Sequence, residues 1–235
     1  MGGIPFQGTK DQRIYGRRIK KGKMPDGSSQ VQPERVAAII LAAGGARRLG
    51  RPKQLLPFGR GTLLQHVLEM VLASPVDRVV LVLGAYAEEI KATLQLCQAE
   101  PRLRIVENSL WEMGLSSSLR AGLAALEPDI AAALLVLADQ PNITADLIAR
   151  LLAERARTGA RLVAPAYRGE RGNPVLFERT LFAELAAVTG DQGGRQVVAK
   201  HEVELATVEV TTRDAFLDID TLADYEGRGE APHEQ

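Results

Sequence analysis

The sequence predicts one α/β domain with a doubly wound, mostly parallel β-sheet and helices on both of its faces. Three observations indicate this fold. Short apolar runs of strand length alternate with segments of helical periodicity along most of the chain. Runs such as AALLVL are almost continuously apolar, as a parallel sheet covered on both faces requires. The helical segments are about ten residues long, which suits right-handed βαβ connections.

Six strands are predicted where apolar, often β-branched residues form short runs. They span residues 36–41, 78–83, 104–107, 133–137, 161–164 and 205–210. Between them, apolar residues recur at helical spacing and predict helices over residues 63–73, 87–96, 117–126, 145–157, 181–188 and 193–200. Residues 167–177, YRGERGNPVLF, break this alternation with glycine and proline. They predict a small hairpin or lid inserted between the late elements.

The composition excludes several classes of protein. The 235 residues are 46% hydrophobic, enough for a sizeable core, and 29 basic residues balance 29 acidic ones, so no global field attracts nucleic acid. No apolar run has the length of a membrane span, and the N-terminal residues lack a signal-peptide segment. Cys97 is the only cysteine, and the three histidines lack ligand spacing. We therefore expect a cytoplasmic protein without disulfides or a Cys/His metal site.

The chain divides into three parts by composition. Residues 1–34 are predicted to form a basic, disordered extension, since seven basic residues and one acidic residue lie between Lys10 and Lys23. This extension could be an arm for nucleic acid or a partner, but a solvated tail is the simpler interpretation. Residues 35–226 are predicted to be the folded domain, and residues 227–235 a flexible tail.

The most informative segment runs from Val36 to Lys53, VAAIILAAGGARRLGRPK. An apolar strand ends in four small residues, and cations follow around Gly50. The small residues are Ala42, Ala43, Gly44 and Gly45, and the cations are Arg47, Arg48, Arg51 and Lys53. Bare backbone N–H groups beside fixed cations suit a polyphosphate, so this loop predicts a triphosphate site. A surface loop with solvated arginines is the alternative.

Two other phosphate-binding loops do not fit this segment. A P-loop needs lysine and a hydroxyl residue after its last glycine, and here Arg51 and Pro52 follow Gly50. The dinucleotide fingerprint GxGxxG is also absent from the run GGARRLG. The sequence therefore argues against P-loop NTPases and against nicotinamide oxidoreductases.

Acidic residues at predicted strand ends are candidate magnesium ligands. In an open α/β sheet, ligands bind beyond the carboxyl ends of the strands, where Asp139 follows a strand in LADQP. Asp139 could instead be a turn residue before Pro141. Asp218 and Asp220 lie two residues apart in DIDT, on one side of an extended segment. Asp220 or Thr221 could instead cap a helix that runs through Tyr225.

Small polar residues in WEMGLSSSLRAGL form a third candidate group. Gly114 and the consecutive serines Ser116, Ser117 and Ser118 precede a helix and could hydrogen-bond a base or sugar without bulk. Alone, the segment is better explained as a well-capped helix whose leucines face the core. Together with the triphosphate loop, it predicts the base pocket.

Six motifs occur in the order seen in the MobA-like nucleotidyltransferases. They are LAAG with RLGRPK, GLSSSLRAGL, LADQP, RGNPVLF, GDQGGR and DIDT. The chain resembles this family from about residue 36 to residue 225, which implies a Rossmann-like nucleotidyltransferase fold. It is most similar to the molybdenum cofactor cytidylyltransferases, because LAAG stands where the guanylyl branch typically has LAGG. Asn173 departs from the Gly-His-Pro of many relatives, which leaves the pterin-side contacts open.

The resemblance implies transfer of CMP from CTP to the terminal phosphate of a molybdopterin-type cofactor, with release of pyrophosphate. It implies Mg²⁺ as cofactor, held by Asp139 with Asp218 or Asp220, and Arg48 and Lys53 as catalytic cations. Nucleotide-binding positions would be Leu41, Ala42, Ala43, Gly44, Gly45, Ser116, Ser117, Ser118, Arg120 and Gly122. Acceptor-binding positions would be Gly172, Asn173, Pro174, Asp191, Gly193 and Arg195. A molybdoenzyme or its accessory protein is a further partner that the resemblance suggests.

Other functions remain open from the sequence. A relative with the same loop could use GTP, or could transfer a nucleotide to a sugar phosphate. A non-catalytic cofactor-binding protein ranks lower, since such a protein would be expected to lose Lys53 or the carboxylates, and both are present.

Overall fold

The computed structural model of the chain describes residues 34–45, 52–94, 99–219 and 221–226. The predicted tail and all of the predicted basic extension except Glu34 lie outside these residues. The strands are β1 (Arg35–Ala42), β2 (Pro57–Phe58), β3 (Gly61–Thr62), β4 (Arg78–Leu83), β5 (Leu103–Glu107), β6 (Ile130–Leu137), β7 (Leu162–Tyr167), β8 (Glu170–Arg171), β9 (Val175–Glu178) and β10 (Leu205–Glu209). The helices are α1 (Leu63–Leu72), α2 (Ala87–Thr93), α3 (Leu115–Ala124), α4 (Ala145–Thr158), α5 (Phe182–Ala187), α6 (Arg195–Lys200) and α7 (Leu222–Glu226).

One large sheet forms the centre of the fold. Its strands follow the order β10-β7-β9-β6-β1-β4-β5, and β8 pairs with β7. Strands β6, β1, β4 and β5 are mutually parallel, and β7 and β10 are parallel to each other. The α/β fold with a mostly parallel sheet is thus confirmed, as are the six predicted strands, with small shifts at their ends.

Alternating side chains of β1 show how the sheet is covered on both faces. Ala38 and Ile40 point into one apolar cluster with α1, α2 and α4, whereas Ile39 and Leu41 point into another with α3, α5 and α6. All four side chains are buried. Period-two alternation between two apolar layers explains why the strand is apolar at every position.

Local signals mark the ends of the helices. Thr62 caps the start of helix α1: its hydroxyl accepts from the N–H of Gln65, while the Gln65 side chain accepts from the N–H of Thr62. Helix α4 is capped at its start by Thr144, whose side chain accepts from the N–H of Leu147, and at its end by Gly159 in the left-handed region. The predicted helices are present, although α3 begins earlier than predicted, at Leu115, and the predicted end of α2 at residue 96 lies outside the described residues.

The prediction for residues 167–177 needs correction. Strands β7 and β8 do form a hairpin, with positive φ at both Arg168 and Gly169 as a tight primed turn requires. Strand β9, however, is neither hairpin nor lid. It inserts between β6 and β7, antiparallel to both, and pairs Val175 with Leu135 and Phe177 with Leu162. The short apolar run after Pro174 carries no local signal of that central position.

No helix in the described part of the chain is long and apolar enough to cross a membrane.

Candidate active site

A cleft of about 480 Å³ opens at the carboxyl edge of the parallel strands. Its walls come from five segments that follow strands or lead into helices. These are the end of β1 with residues 43–45, the turn with Lys53 and Gln54, residues 111–115 with Ser118, the end of β6 at Leu137–Asp139, and Gly190 with Asp191. Ligands of open α/β sheets bind at this edge, so the cleft is the candidate active site.

Small residues leave the loop after β1 open to a ligand. Ala43 is buried, whereas Gly44 is exposed and Gly45 half-buried. The ring of Trp111 packs against this loop, because a Cβ on Gly45 would lie 3.0 Å from Trp111 Cζ3. A Cβ on the neighbouring Gly84 would lie 2.6 Å from the carbonyl oxygen of Ala43. Because Gly45 and Gly84 have no Cβ, their backbone lies closer to Trp111 than it could with a larger residue at either position.

A short 3₁₀ turn, Lys53–Leu55, carries the predicted catalytic lysine. It is fixed by the N–H of Leu55 donating to the carbonyl of Pro52, and by the N–H of Leu56 donating to that of Lys53. The side chain of Leu56 is fully buried and anchors the turn. This anchored turn directs Lys53 into the cleft, where its Nζ lies 3.4 Å from Oδ2 of Asp139.

Asp139 lies between a cation and a second carboxylate. Burial raises the pKa of Asp139, the positive charge of Lys53 lowers it, and the negative charge of Asp218 raises it again, with a net shift upward. Asp218 is brought to this position by the backbone, since the N–H of Ile219 donates to the carbonyl of Asp139 at 3.0 Å. The buried Gln140 donates from Nε2 to Oδ1 of Asp218 at 2.6 Å.

The two carboxylates fit a hard divalent cation. Asp139 and Asp218 come from distant parts of the chain but converge at one edge of the sheet, and their mutual repulsion would be relieved by a bound cation. Among the described residues, no group of three or more His, Cys, Asp or Glu side chains is arranged to hold a metal ion by itself. A divalent ion here would thus take further ligands from phosphate oxygens and water.

The three predicted base-pocket serines lie in different surroundings, although all are buried. Ser118 lines the cleft. The Ser117 hydroxyl lies 2.8 Å from the carbonyl oxygens of Leu110 and Gly114, which share its one hydrogen, and it accepts from Asn108, so it fixes the segment before α3. Ser116 is held through its N–H, which donates to the carbonyl of Gly190. Only Ser118 of the three is placed to meet a ligand in this cleft.

Two other predicted nucleotide-binding residues lie outside the cleft lining. Arg120 donates from Nη1 to the carbonyl of Val188 at 3.0 Å, which ties α3 to the segment after α5. Gly122 faces the sheet, where an added Cβ would lie 2.5 Å from Cγ2 of Ile39. The structure therefore places Arg120 and Gly122 in contacts that join α3 to the rest of the fold. Leu41, by contrast, lines the cleft, and Ala42 directly precedes its loop.

The predicted acceptor-binding residues lie in two segments, residues 191–195 before and at the start of α6, and residues 172–174 before β9. Asp191 lines the cleft and accepts from the N–H of Leu115, where it caps α3. Gly193 packs against Leu115, and Arg195 begins α6 with an exposed side chain. Gly172, Asn173 and Pro174 immediately precede β9. They are at the same edge of the sheet, because Val175 pairs with Leu135 near the end of β6, but they do not line this cleft.

Arg48 and Asp220, a predicted catalytic residue and a predicted metal ligand, lie outside the described residues.

Sequence reasoning missed three buried polar side chains that organise the site. Gln54 binds the loop after β1, Gln140 binds Asp218, and Asn108 binds Ser117 and Ser118. Two of them adjoin predicted site residues in the motifs RPKQ and LADQP. That adjacency was the available signal, since a glutamine gives no local indication that it is buried.

Comparison with known proteins shows the family to which this chain belongs. The sequence model of the MobA-like NTP transferase domain matches residues 38–205. The nicotine blue oxidoreductase of Paenarthrobacter nicotinovorans is 34% identical over 196 residues, covering 80% of this chain and 93% of that protein. The molybdenum cofactor cytidylyltransferase of Escherichia coli K12 is 26% identical over 190 residues, covering 81% and 93%.

Among solved structures, Rv0371c of Mycobacterium tuberculosis H37Rv superposes with a TM-score of 0.72 and 29% identity, covering 84% of this chain and 98% of that one. Its complex with manganese superposes with a TM-score of 0.66 and 28% identity, covering 83% and 98%. A related structure thus holds a divalent metal. Taken with the cleft at the strand ends, the family match shows that this chain belongs to the MobA-like NTP transferase family of nucleotidyltransferases.

Proposed function

We propose that the chain transfers CMP from CTP to the terminal phosphate of a molybdopterin-type cofactor and releases pyrophosphate. The observation that carries this proposal is the Lys53 ammonium beside Asp139 at the end of a loop of small residues. A triphosphate needs a cation, backbone donors and a divalent ion. Lys53 would be the cation, residues 43–45 would be the donors, and Asp139 would hold the ion.

Nucleotidyl transfer to a phosphate depends more on the positions of the two substrates than on proton transfer. A phosphate monoester is already largely dianionic at neutral pH, so the acceptor needs no general base. Lys53 would neutralise charge on the triphosphate as pyrophosphate leaves, and residues 43–45 would bind its oxygens. Asp139 and Asp218 would hold Mg²⁺, which supplies further neutralisation of the phosphate charge when bound.

Two features support CTP as the nucleotide. The loop reads Ala42-Ala43-Gly44, and the cleft beside it is lined by Trp111 and by the small side chain of Ser118. Similarity to the cytidylyltransferase of E. coli supports the same choice. On the acceptor side, Asp191 lines the cleft, and residues 172–174 with Arg195 would contribute from the neighbouring segments.

The test of this proposal is a pyrophosphate-release assay. Each of the four nucleoside triphosphates is assayed with Mg²⁺ and molybdenum cofactor. We expect turnover with CTP, dependent on both metal and cofactor. Equal or faster turnover with GTP would overturn the cytidylyl assignment. Turnover with a sugar phosphate in place of the molybdenum cofactor would retain the transferase chemistry and change the acceptor.

A second candidate is an oxidoreductase activity, favoured by the 34% identity to a protein named nicotine blue oxidoreductase. Against it, the run from Gly44 to Gly50 lacks the dinucleotide fingerprint. Oxidation of NADH or NADPH in the presence of nicotine blue separates the two functions, because nucleotidyl transfer consumes no reduced nicotinamide. Steady oxidation without any CTP-dependent pyrophosphate release would favour the oxidoreductase.

A further inference from the structure

Gln54 holds the loop after β1 through both hydrogens of its amide. Its side chain is only 7% exposed, and Nε2 donates to the carbonyl of Ala42 at 2.9 Å and to that of Gly44 at 3.1 Å. An amide nitrogen has two hydrogens, so these two bonds use its full donor capacity. One buried side chain thus fixes two peptide groups of the predicted triphosphate loop.

The intervening carbonyl is fixed as well. The N–H of Ala85, just after β4, donates to the carbonyl of Ala43 at 3.3 Å. In a planar trans peptide the C=O and N–H groups point in opposite directions. Holding the carbonyls of residues 42, 43 and 44 therefore also fixes the directions of the N–H groups of residues 43, 44 and 45.

We propose that Gln54 is a positioning residue that orients these loop N–H groups for the phosphates of the nucleotide. The inference rests on the proposed function insofar as it takes the loop to be the triphosphate site. Gln54 and Lys53 are neighbours on one anchored turn, so the same turn fixes both the cation and the backbone donors. Oriented donors need no rearrangement when the ligand arrives, which is why fixed peptide planes strengthen binding.

Few other side chains could replace this amide. Leucine would leave two carbonyls without their donor, and glutamate would set a carboxylate oxygen against them. In both variants the carbonyls of Ala42 and Gly44 would lose these hydrogen bonds, so their peptide groups could rotate, while Lys53 stays unchanged. The resulting loss should grow with the number of phosphates in the ligand, whereas a general loss of folded structure would weaken all ligands alike.

The experiment measures binding of inorganic tripolyphosphate, CTP and cytidine, each with Mg²⁺, to the full chain by titration calorimetry. For Gln54→Leu and Gln54→Glu we expect the dissociation constants of tripolyphosphate and CTP to rise about tenfold or more, the scale of losing one or two hydrogen bonds. The cytidine constant should stay unchanged. Tripolyphosphate carries neither base nor acceptor, so the result does not depend on whether CTP is the true substrate.

Gln65→Leu is the matched control, because Gln65 is a half-buried glutamine that likewise makes two side-chain hydrogen bonds but lies outside the cleft. It should lower the melting temperature without changing tripolyphosphate affinity. In the unmodified protein, tripolyphosphate should shift the amide NMR signals of Ala43, Gly44 and Gly45, and this measurement needs no variant. Affinity within twofold of the unmodified protein in a folded Gln54 variant, or amide signals that do not move, would overturn the proposal.

Discussion

The Nζ of Lys53 lies 3.4 Å from Oδ2 of Asp139, and the two side chains are only 24% and 29% exposed. This pair joins the 3₁₀ turn after the loop to the end of β6. Because Asp218 adds negative charge nearby, Lys53 offsets part of the repulsion between the two carboxylates. On nucleotide binding, a divalent ion could take over this role and leave the ammonium for phosphate oxygens.

Lys53→Ala should reduce turnover by about two orders of magnitude or more, the scale of removing one donor that stabilises transition-state charge. The fold should be retained, since a partly exposed ion pair adds little to stability. Pyrophosphate release and the melting temperature check the two parts of this prediction. Lys200→Ala removes a lysine that pairs with Glu184 on another surface and should keep full activity. An active Lys53→Ala protein would refute its catalytic role.

Asp139→Asn should abolish most activity without destabilising the protein. The folded-state pKa of Asp139 is raised, so its charge opposes folding above the ordinary pKa of the carboxyl group. Removing that charge should leave the melting temperature at pH 7 unchanged or higher, and any gain should shrink as the pH falls. Asp129→Asn, at an exposed ion pair with Arg35, is the control and should keep activity. A lower melting temperature with normal turnover would instead show a structural turn residue.

Asp218→Asn should weaken binding of a divalent ion in the presence of CTP, because hard cations prefer charged oxygens. Mn²⁺ is a suitable probe, since its bound and free forms are distinguished by electron paramagnetic resonance. The control is Asp214→Asn, an exposed carboxylate four positions earlier in the same segment that does not line the cleft. Unchanged Mn²⁺ affinity in Asp218→Asn would leave Asp139 without its predicted second ligand.

Local patterns predicted most strands and helices of this fold, because burial on two faces makes central strands such as β1 and β4 apolar along nearly their whole length. They did not predict β9, since the short run from Val175 carries no signal for antiparallel insertion between β6 and β7. In the site, the loop motif predicted Lys53 and the strand end predicted Asp139, and both side chains line the cleft. Motif spacing could not distinguish Ser118, which lines the cleft, from Ser117, whose hydroxyl is used within the fold. That difference depends on contacts between distant segments.

His201 should make stability depend on pH at a place outside the cleft. Hydrogen bonds to Glu204 at 2.7 Å and to Glu184 at 3.1 Å raise the pKa of His201. The contribution of His201 to the free energy of unfolding is therefore fully present below the unfolded-state pKa of the imidazole. It is lost as the pH rises through the folded-state pKa. His201→Gln should lower the melting temperature more at pH 6 than at pH 9. An equal decrease at both pH values would contradict the charged pair.

Gly122→Ala tests whether this glycine serves the nucleotide or the packing of α3 on the sheet. Alanine favours a helix by about 1 kcal/mol over glycine. Its Cβ, however, would lie 2.5 Å from Cγ2 of the buried Ile39, and overpacking of a core commonly costs about 1–3 kcal/mol. We expect a net loss of stability in urea unfolding, with unchanged affinity of the folded protein for CTP.

The matched background for this substitution is Ile39→Ala, which removes the methyl group that the new Cβ would meet. In that background Gly122→Ala should cost less than in the unmodified protein, because the two side chains share one space. The difference between the stability changes that Gly122→Ala causes in the two backgrounds measures the packing contact without any ligand. An additive pair of substitutions, together with a CTP dissociation constant that rises in Gly122→Ala alone, would instead assign Gly122 to the nucleotide site.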